Sequence, residues 1–194
     1  DVAAALASAA SAGVDRVVQV GCDLESARFT VDQVDRHPSM LGAVALHPNE
    51  IPALAEAGEL QSAWDEIERL AAHPRVRAIG ESGLDYFRTG PEGHAVQQES
   101  FRWHIDLAKR TGKALQIHDR DSHDDVLRIL AEEGAPETTV LHCFSGDLAM
   151  ARECVERGYH LSFAGTVTFK SAAGLREALA HTPLEQVLAE TDAP

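Results

Sequence analysis

Four side chains able to bind a metal each follow a separate apolar run. Arg77-Ala78-Ile79-Gly80 leads into Glu81, Ala114-Leu115-Gln116-Ile117 into His118, and Thr139-Val140-Leu141 into His142. The last run, Val187-Leu188-Ala189-Glu190-Thr191, leads into Asp192. The separations are 37, 24 and 50 residues. A strand with its crossover helix takes roughly 30 residues, so the gaps correspond to one, one and two βα units. Side chains at the carboxyl ends of parallel barrel strands converge on one mouth, where such folds keep their chemistry. Two imidazoles and two carboxylates meeting there suit a divalent cation, and Glu81, His118, His142 and Asp192 are the expected ligands. Asp192 can also accept a proton from a water that the metal has acidified. Arg120, two residues after His118, offers a guanidinium fork to an anion. Asp192, Glu81 and Arg120 are therefore the catalytic candidates.

Each residue alone has a plainer reading. Glu81 in Gly80-Glu81-Ser82-Gly83 resembles a helix-capping or loop acid, and a lone histidine in an apolar run is usually a core residue. Two histidines on successive strand ends, each followed by a polar loop, argue for ligation. His47 in Leu46-His47-Pro48 also ends a strand, so it is a substrate candidate together with Arg120, Ser145 and Lys170. His37 and His73 read as exposed helix terminators, and His94, His104, His123, His160 and His181 as helix or loop surface. No G-x-G-x-x-G, G-x-x-x-x-G-K-[ST] or G-x-S-x-G occurs, which removes nucleotide-cofactor and nucleophile-elbow readings.

The elements that must position these groups alternate along the chain. Strand patterns cover 16–22, 40–47, 75–81, 114–118, 138–142, 160–163 and 186–190. Helical patterns cover 24–36, 59–72, 96–111, 122–133, 149–157 and 172–180. The strands read as short apolar runs, as a sheet covered on both faces requires. Gly112, Gly134 and Gly158 stand where helices end, and Asp121 or Ser122 can cap the helix that follows them. Such alternation gives a parallel α/β architecture in one domain, residues 1–194. The chain opens in a helical pattern (2–12) and stops just after the last strand. The expectation is a (β/α)8 TIM-type barrel lacking its first strand and last helix, a complete open sheet being the alternative. A barrel with such a gap, expressed alone, would bind metal weakly and aggregate.

Composition narrows the function classes. The net charge is −14, with three lysines and fourteen arginines. A protein gripping a duplex through many phosphates needs a basic face, so the expectation is a DNA substrate taken single-stranded or by an end and held locally. Three cysteines without a C-x-x-C pair point to a reducing, cytoplasmic setting with all three as buried small hydrophobes. No apolar run reaches the ~20 residues of a membrane helix, residues 1–13 lack the basic start of a signal peptide, and no obligate protein partner is evident.

Six stretches, taken together, resemble the TatD family of metal-dependent deoxyribonucleases, a branch of the amidohydrolase-type barrels. They are Leu46-His47-Pro48, Gly80-Glu81-Ser82-Gly83-Leu84-Asp85-Tyr86, Ile117-His118-Asp119-Arg120-Asp121, His142-Cys143-Phe144-Ser145-Gly146, Thr168-Phe169-Lys170 and Glu190-Thr191-Asp192-Ala193-Pro194. The resemblance implies a (β/α)8 fold, one or two divalent metals and hydrolysis of DNA phosphodiesters. It places Glu81, His118, His142 and Asp192 on the family's ligand positions. The family's His-x-His pair on a first strand has no counterpart here, and Ala164 stands where the family often has serine. The mixed ligands suit Zn, Mn or Fe, while the resemblance keeps Mg in play. An amidohydrolase or aminoacyl-tRNA deacylase on the same barrel is the alternative activity, and a non-catalytic metal-binding remnant is the second.

Overall fold

The computed structural model describes residues 1–192. Its seven strands form one parallel sheet in strictly sequential order. They are β1 (Val17–Gly21), β2 (Met40–Val44), β3 (Val76–Asp85), β4 (Ala114–Arg120), β5 (Thr139–Leu141), β6 (His160–Phe163) and β7 (Val187–Ala189). Sequential order with at least one helix between each strand and the next is the winding of a (β/α) barrel, since right-handed crossovers then carry these helices to the outside. Among the described residues β1 and β7 are the sheet's edges, and each keeps an exposed apolar residue, Val18 and Leu188.

The helices are α1 (Val2–Ser11), α2 (Leu24–Arg36), α3 (Ile51–Glu56), α4 (Leu60–Ala71), α5 (Pro91–Thr111), α6 (His123–Glu133), α7 (Leu148–Glu156) and α8 (Ala173–His181). Their starts are chemically marked. Asp23 caps α2 by accepting from the Ser26 amide at 2.7 Å while the Ser26 hydroxyl accepts from the Asp23 amide at 3.0 Å, a reciprocal capping box. The ends at Gly112, Gly134 and Gly158 all have positive φ, as helix-terminating glycines should. The expected side-chain cap of α6 is absent. Ser122 instead donates to the Leu84 carbonyl and the Asp119 carboxylate, which ties α6 to β3 and β4.

One buried apolar cluster fills the space between the sheet and its helices, with Ile79, Leu84, Phe101, Ile105, Leu115, Ile117, Ile129 and Leu130 fully enclosed. The inner face differs from the expectation of strands buried on both sides. Along β4, Leu115 and Ile117 are buried whereas Ala114, Gln116 and His118 are only partly so. Side chains alternate along a strand, so His118 lies on the concave face with Gln116.

Two strands outrun their apolar runs. β3 continues to Asp85 and β4 to Arg120, so Glu81 and His118 sit inside strands, not at their ends. The extension depends on Gly83. At φ +146° it adopts a conformation closed to other residues, and a Cβ there would lie 2.0 Å from the His118 carbonyl oxygen. β3 can therefore press against β4, with Gly83 paired to His118 and Asp85 to Arg120. Helix α3 lies outside the expected helical patterns, and it accommodates Pro52 because proline is at home in a helix's first turn. The same tolerance lets α5 begin at Pro91, five residues before its apolar pattern.

Candidate metal centre

Glu81 projects from the middle of β3 and gathers the imidazoles of three other segments. Its Oε1 lies 2.7 Å from His118 Nδ1, 3.1 Å from His142 Nε2 and 3.6 Å from His47 Nε2. Its Oε2 accepts weakly from the Cys22 thiol at 3.8 Å. Donor atoms of His47, Glu81 and His118 all lie within 4.8 Å of one another. The His47 and His118 rings meet edge to face at 4.4 Å.

Each strand histidine is held from behind by a second carboxylate. His118 Nε2 lies 3.2 Å from Asp85 Oδ2, and His142 Nδ1 lies 3.0 Å from Glu190 Oε1. Asp85 is nearly inaccessible and is itself braced by the Asn49 amide at 3.1 Å and the Arg88 backbone N–H at 2.8 Å. Glu190 accepts from the Cys143 amide at 2.6 Å and the Ser162 hydroxyl at 2.7 Å. A carboxylate on the far nitrogen fixes ring orientation and tautomer, which is how proteins aim a metal-binding histidine.

The charges are tightly coupled. Burial opposes ionisation of Glu81, but hydrogen bonds from His118, His142 and His47 hold its carboxyl far below the ordinary carboxylate range. Burial also opposes a charge on His142, yet its bonds to Glu190 and Glu81 raise the ring to about 10. The Cys22 thiol is pushed up to about 12 by burial and by the Glu81 charge, and so stays protonated. Three carboxylates, Glu81, Asp85 and Glu190, thus surround the imidazoles of His118 and His142 in a mostly enclosed space. Such a donor set calls for added positive charge, and it fits a divalent cation; the donors that lie together are those of His47, Glu81 and His118, with His142 on the other side of the Glu81 carboxylate oxygen.

Comparison with known proteins agrees with this chemistry. The model of the TatD-related DNase family matches residues 1–194. The chain belongs to that family. It is 53% identical over 191 residues to the metal-dependent hydrolase TatD of Mycobacterium tuberculosis, covering 96% of this chain and 70% of that protein. Against the metal-dependent hydrolase YabD of Bacillus subtilis it is 38% identical over 183 residues, covering 93% of this chain and 69% of the relative. The crystal structure of the TatD homologue YJJV from Escherichia coli superposes with a TM-score of 0.88 at 30% identity, covering 98% of this chain and 72% of the other. As a TatD-family member the chain is a metal-dependent hydrolase on a barrel-type α/β fold.

The other sequence-derived candidates of this TatD-family chain fall into two groups. Asp192 stands at the rim, half exposed, with Oδ1 4.0 Å from His142 Nε2, so it faces the cluster without bonding to it. Arg120 is exposed at the end of β4, its guanidinium carbon 4.1 Å from the centre of the Phe87 ring. Ser145 is exposed and donates to the Asp119 carbonyl at 3.0 Å, and Lys170 is exposed on the loop after β6. Neither Ser145 nor Lys170 touches the Glu81 cluster. Asp85, Glu190, Asn49 and Cys22 are parts of the site that sequence reasoning did not assign. The first two lay within quoted stretches, and their nearness to a strand end was the only signal.

Some expectations fail. His104, taken as surface, is fully buried on α5, where Nε2 accepts from the Leu46 amide at 3.2 Å and Nδ1 meets the Ser100 carbonyl at 2.8 Å. His73, expected to be exposed, is only partly so, its ring lying 3.0 Å from the Asp35 carboxylate. Only Cys154 of the three cysteines is buried; Cys22 and Cys143 are partly exposed because they line the centre. Among the described residues, no helix is long and apolar enough to cross a membrane.

Proposed function

We propose that residues 1–194 act as one domain that hydrolyses phosphodiester bonds of DNA, with a divalent metal held by Glu81, His118, His142 and Asp192. The observation that carries this reading is the convergence of His118 and His142 on one oxygen of Glu81, at 2.7 and 3.1 Å. A divalent ion bound there supplies Lewis-acid polarisation of a phosphoryl oxygen and lowers the pKa of a nearby water. Asp85 and Glu190 keep the two rings turned toward Glu81. Asp192, reachable from solvent at the rim, accepts the proton of the attacking water. Arg120 stabilises charge that builds on the phosphate. His47 lies against Glu81 and shapes the substrate side of the centre, while Lys170 and Ser145 stand at its outer edge. Mixed imidazole and carboxylate donors favour Zn or Mn as the resident ion, and Mg is usable where substrate phosphate completes its shell. Three free thiols suit a cytoplasmic setting.

The test is cleavage of a single-stranded oligodeoxynucleotide by the wild-type chain and by His142→Ala, with Mg, Mn or Zn added in turn. The expected result is metal-dependent product from the wild type and a loss of at least about a hundredfold in the variant, the scale typical of a disrupted metal site. Equal rates in the two proteins would overturn the assignment. Turnover of a charged tRNA or a cyclic amide, with none of the oligonucleotide, would move the reading to ester or C–N hydrolysis.

A further inference from the structure

Phe87 is 62% exposed on the turn that follows β3. A lone exposed apolar side chain is ordinary on any protein surface. Phe87 departs from that pattern in its rigidity, its partner and its position.

The backbone that carries it is anchored on both sides. Tyr86 is half-buried, its hydroxyl bonds Asp125 and Gln98 at 2.7 Å each, and its ring stacks on His94 at 3.6 Å. On the other side the Arg88 backbone N–H donates to Asp85 at 2.8 Å. The ring is thus presented by a fixed turn and not by a mobile loop. Its partner is Arg120, whose guanidinium carbon lies 4.1 Å from the ring centroid. In a chain of net charge −14, Arg120 pairs with no acid among the described residues. A guanidinium lying over a ring keeps its N–H edge for an anion. The position is equally specific. The Tyr86 amide donates to the Arg120 carbonyl at 2.9 Å, and Asp85, two residues before Phe87, touches His118. The aromatic and its cation stand within one turn of the metal centre, at the carboxyl ends of adjacent strands.

We propose that Phe87 and Arg120 form a stacking platform for one unpaired nucleobase of a single-stranded substrate, Phe87 receiving the base and Arg120 the adjoining phosphate. The proposal rests on the reading of this centre as acting on nucleic acid. An aromatic ring beside an arginine is the general means of holding single strands without reading their sequence. A base in a duplex has both faces covered, so the platform selects frayed ends and single strands. It also gives an acidic protein a grip on DNA that needs no basic surface.

A single-stranded oligodeoxynucleotide containing 2-aminopurine tests this, because stacking quenches that base's fluorescence. Binding is read within seconds of mixing, with and without Mn, alongside the same strand annealed to its complement. The wild-type chain is expected to quench the single strand and not the duplex. Phe87→Ala should lose the quenching and weaken binding about 5- to 100-fold, the range for one aromatic–base stack. Phe87→Trp should retain both. Arg120→Ala should lower the magnitude of the salt slope by about 0.7, as for one lost single-strand phosphate contact. Quenching by Phe87→Ala equal to wild type, or no quenching by the wild type, would sink the platform. Product formation is scored separately: if no strand is cut while Phe87-dependent quenching persists, the hydrolase reading fails and the platform stands.

Discussion

At the scale of single residues, His142 holds a proton where a cation would otherwise sit. Between Glu81 and Glu190 its ring is raised to about 10, so without metal it is charged at neutral pH. That charge is a stabilising contact, fully present below the unfolded value of 6.5 and lost as pH rises through about 10. A metal binding through Nε2 must displace the proton, so its affinity should rise about tenfold per pH unit from 7 toward 10. Calorimetry of Zn binding at pH 8 in buffers of different ionisation enthalpy should show about one proton released from this ring. Glu190→Gln removes the charge that favours the imidazolium and the anchor on Nδ1. In that variant the pH dependence should level off at lower pH, and affinity above that point should be about 10- to 100-fold weaker than wild type. An unchanged pH profile would show that Glu190 does not act through His142.

At the scale of elements, the register between β3 and β4 and the seating of α5 decide where the chemistry sits. Helix α5 is pinned to β2's end by His104, fully buried and held near 4 by that burial. Here the folded ring prefers to be neutral, so the unfolded chain binds more protons between about pH 6.5 and 4. Stability from this site is complete above 6.5 and falls as pH drops toward 4, by roughly 3 kcal/mol in all. The ring's NMR signals should therefore show no titration between pH 7 and 5 in the folded protein, and urea midpoints should decline over that window. A His104 that titrates near 6.5 in the native state would overturn this. The sequence could not disclose it, because an imidazole whose two nitrogens both find backbone partners looks, in a helical pattern, like any surface histidine. The strand histidines were readable because two successive apolar runs each close on an imidazole, and a repeat of that kind marks a shared site more readily than two separate core residues. Asp85 and Glu190 were not, because an acid after a strand is ordinary until the partner ring opposite it is known. The overrun of β3 past Glu81 was hidden for a related reason: paired glycines suggest a turn, and only the closeness of the His118 carbonyl shows that Gly83 serves strand pairing.

At the scale of the whole molecule, the balance of −14 sets how a polyanion can approach. Half of the fourteen arginines are paired with neighbouring acids: Arg28 and Arg69 with Glu66, Arg36 with Asp32, Arg102 with Glu132 and Glu133, Arg110 with Glu68, Arg128 with Asp125, and Arg157 with Glu153. Arg88, Arg120 and Lys170, on the turns after β3, β4 and β6, are exposed and in no ion pair among the described residues. Three unpaired cations thus stand at the carboxyl ends of the strands, while Arg16, Arg77, Lys109, Arg152 and Arg176, also exposed and in no ion pair among the described residues, are dispersed before β1, in β3 and on α5, α7 and α8, among acids that repel DNA at long range. Three phosphate contacts on a single strand release few counterions, so log K against log salt should slope at about −2, since each contributes about 0.7. Long-range repulsion should make the slope shallower still below ~50 mM salt, where screening is weak and the Debye length exceeds 10 Å. Titrations of an oligodeoxynucleotide from about 10 to 300 mM KCl would read both directly. A slope steeper than about −5 would require a broad basic footprint that these paired arginines do not provide, and would move substrate recognition away from the mouth of the barrel.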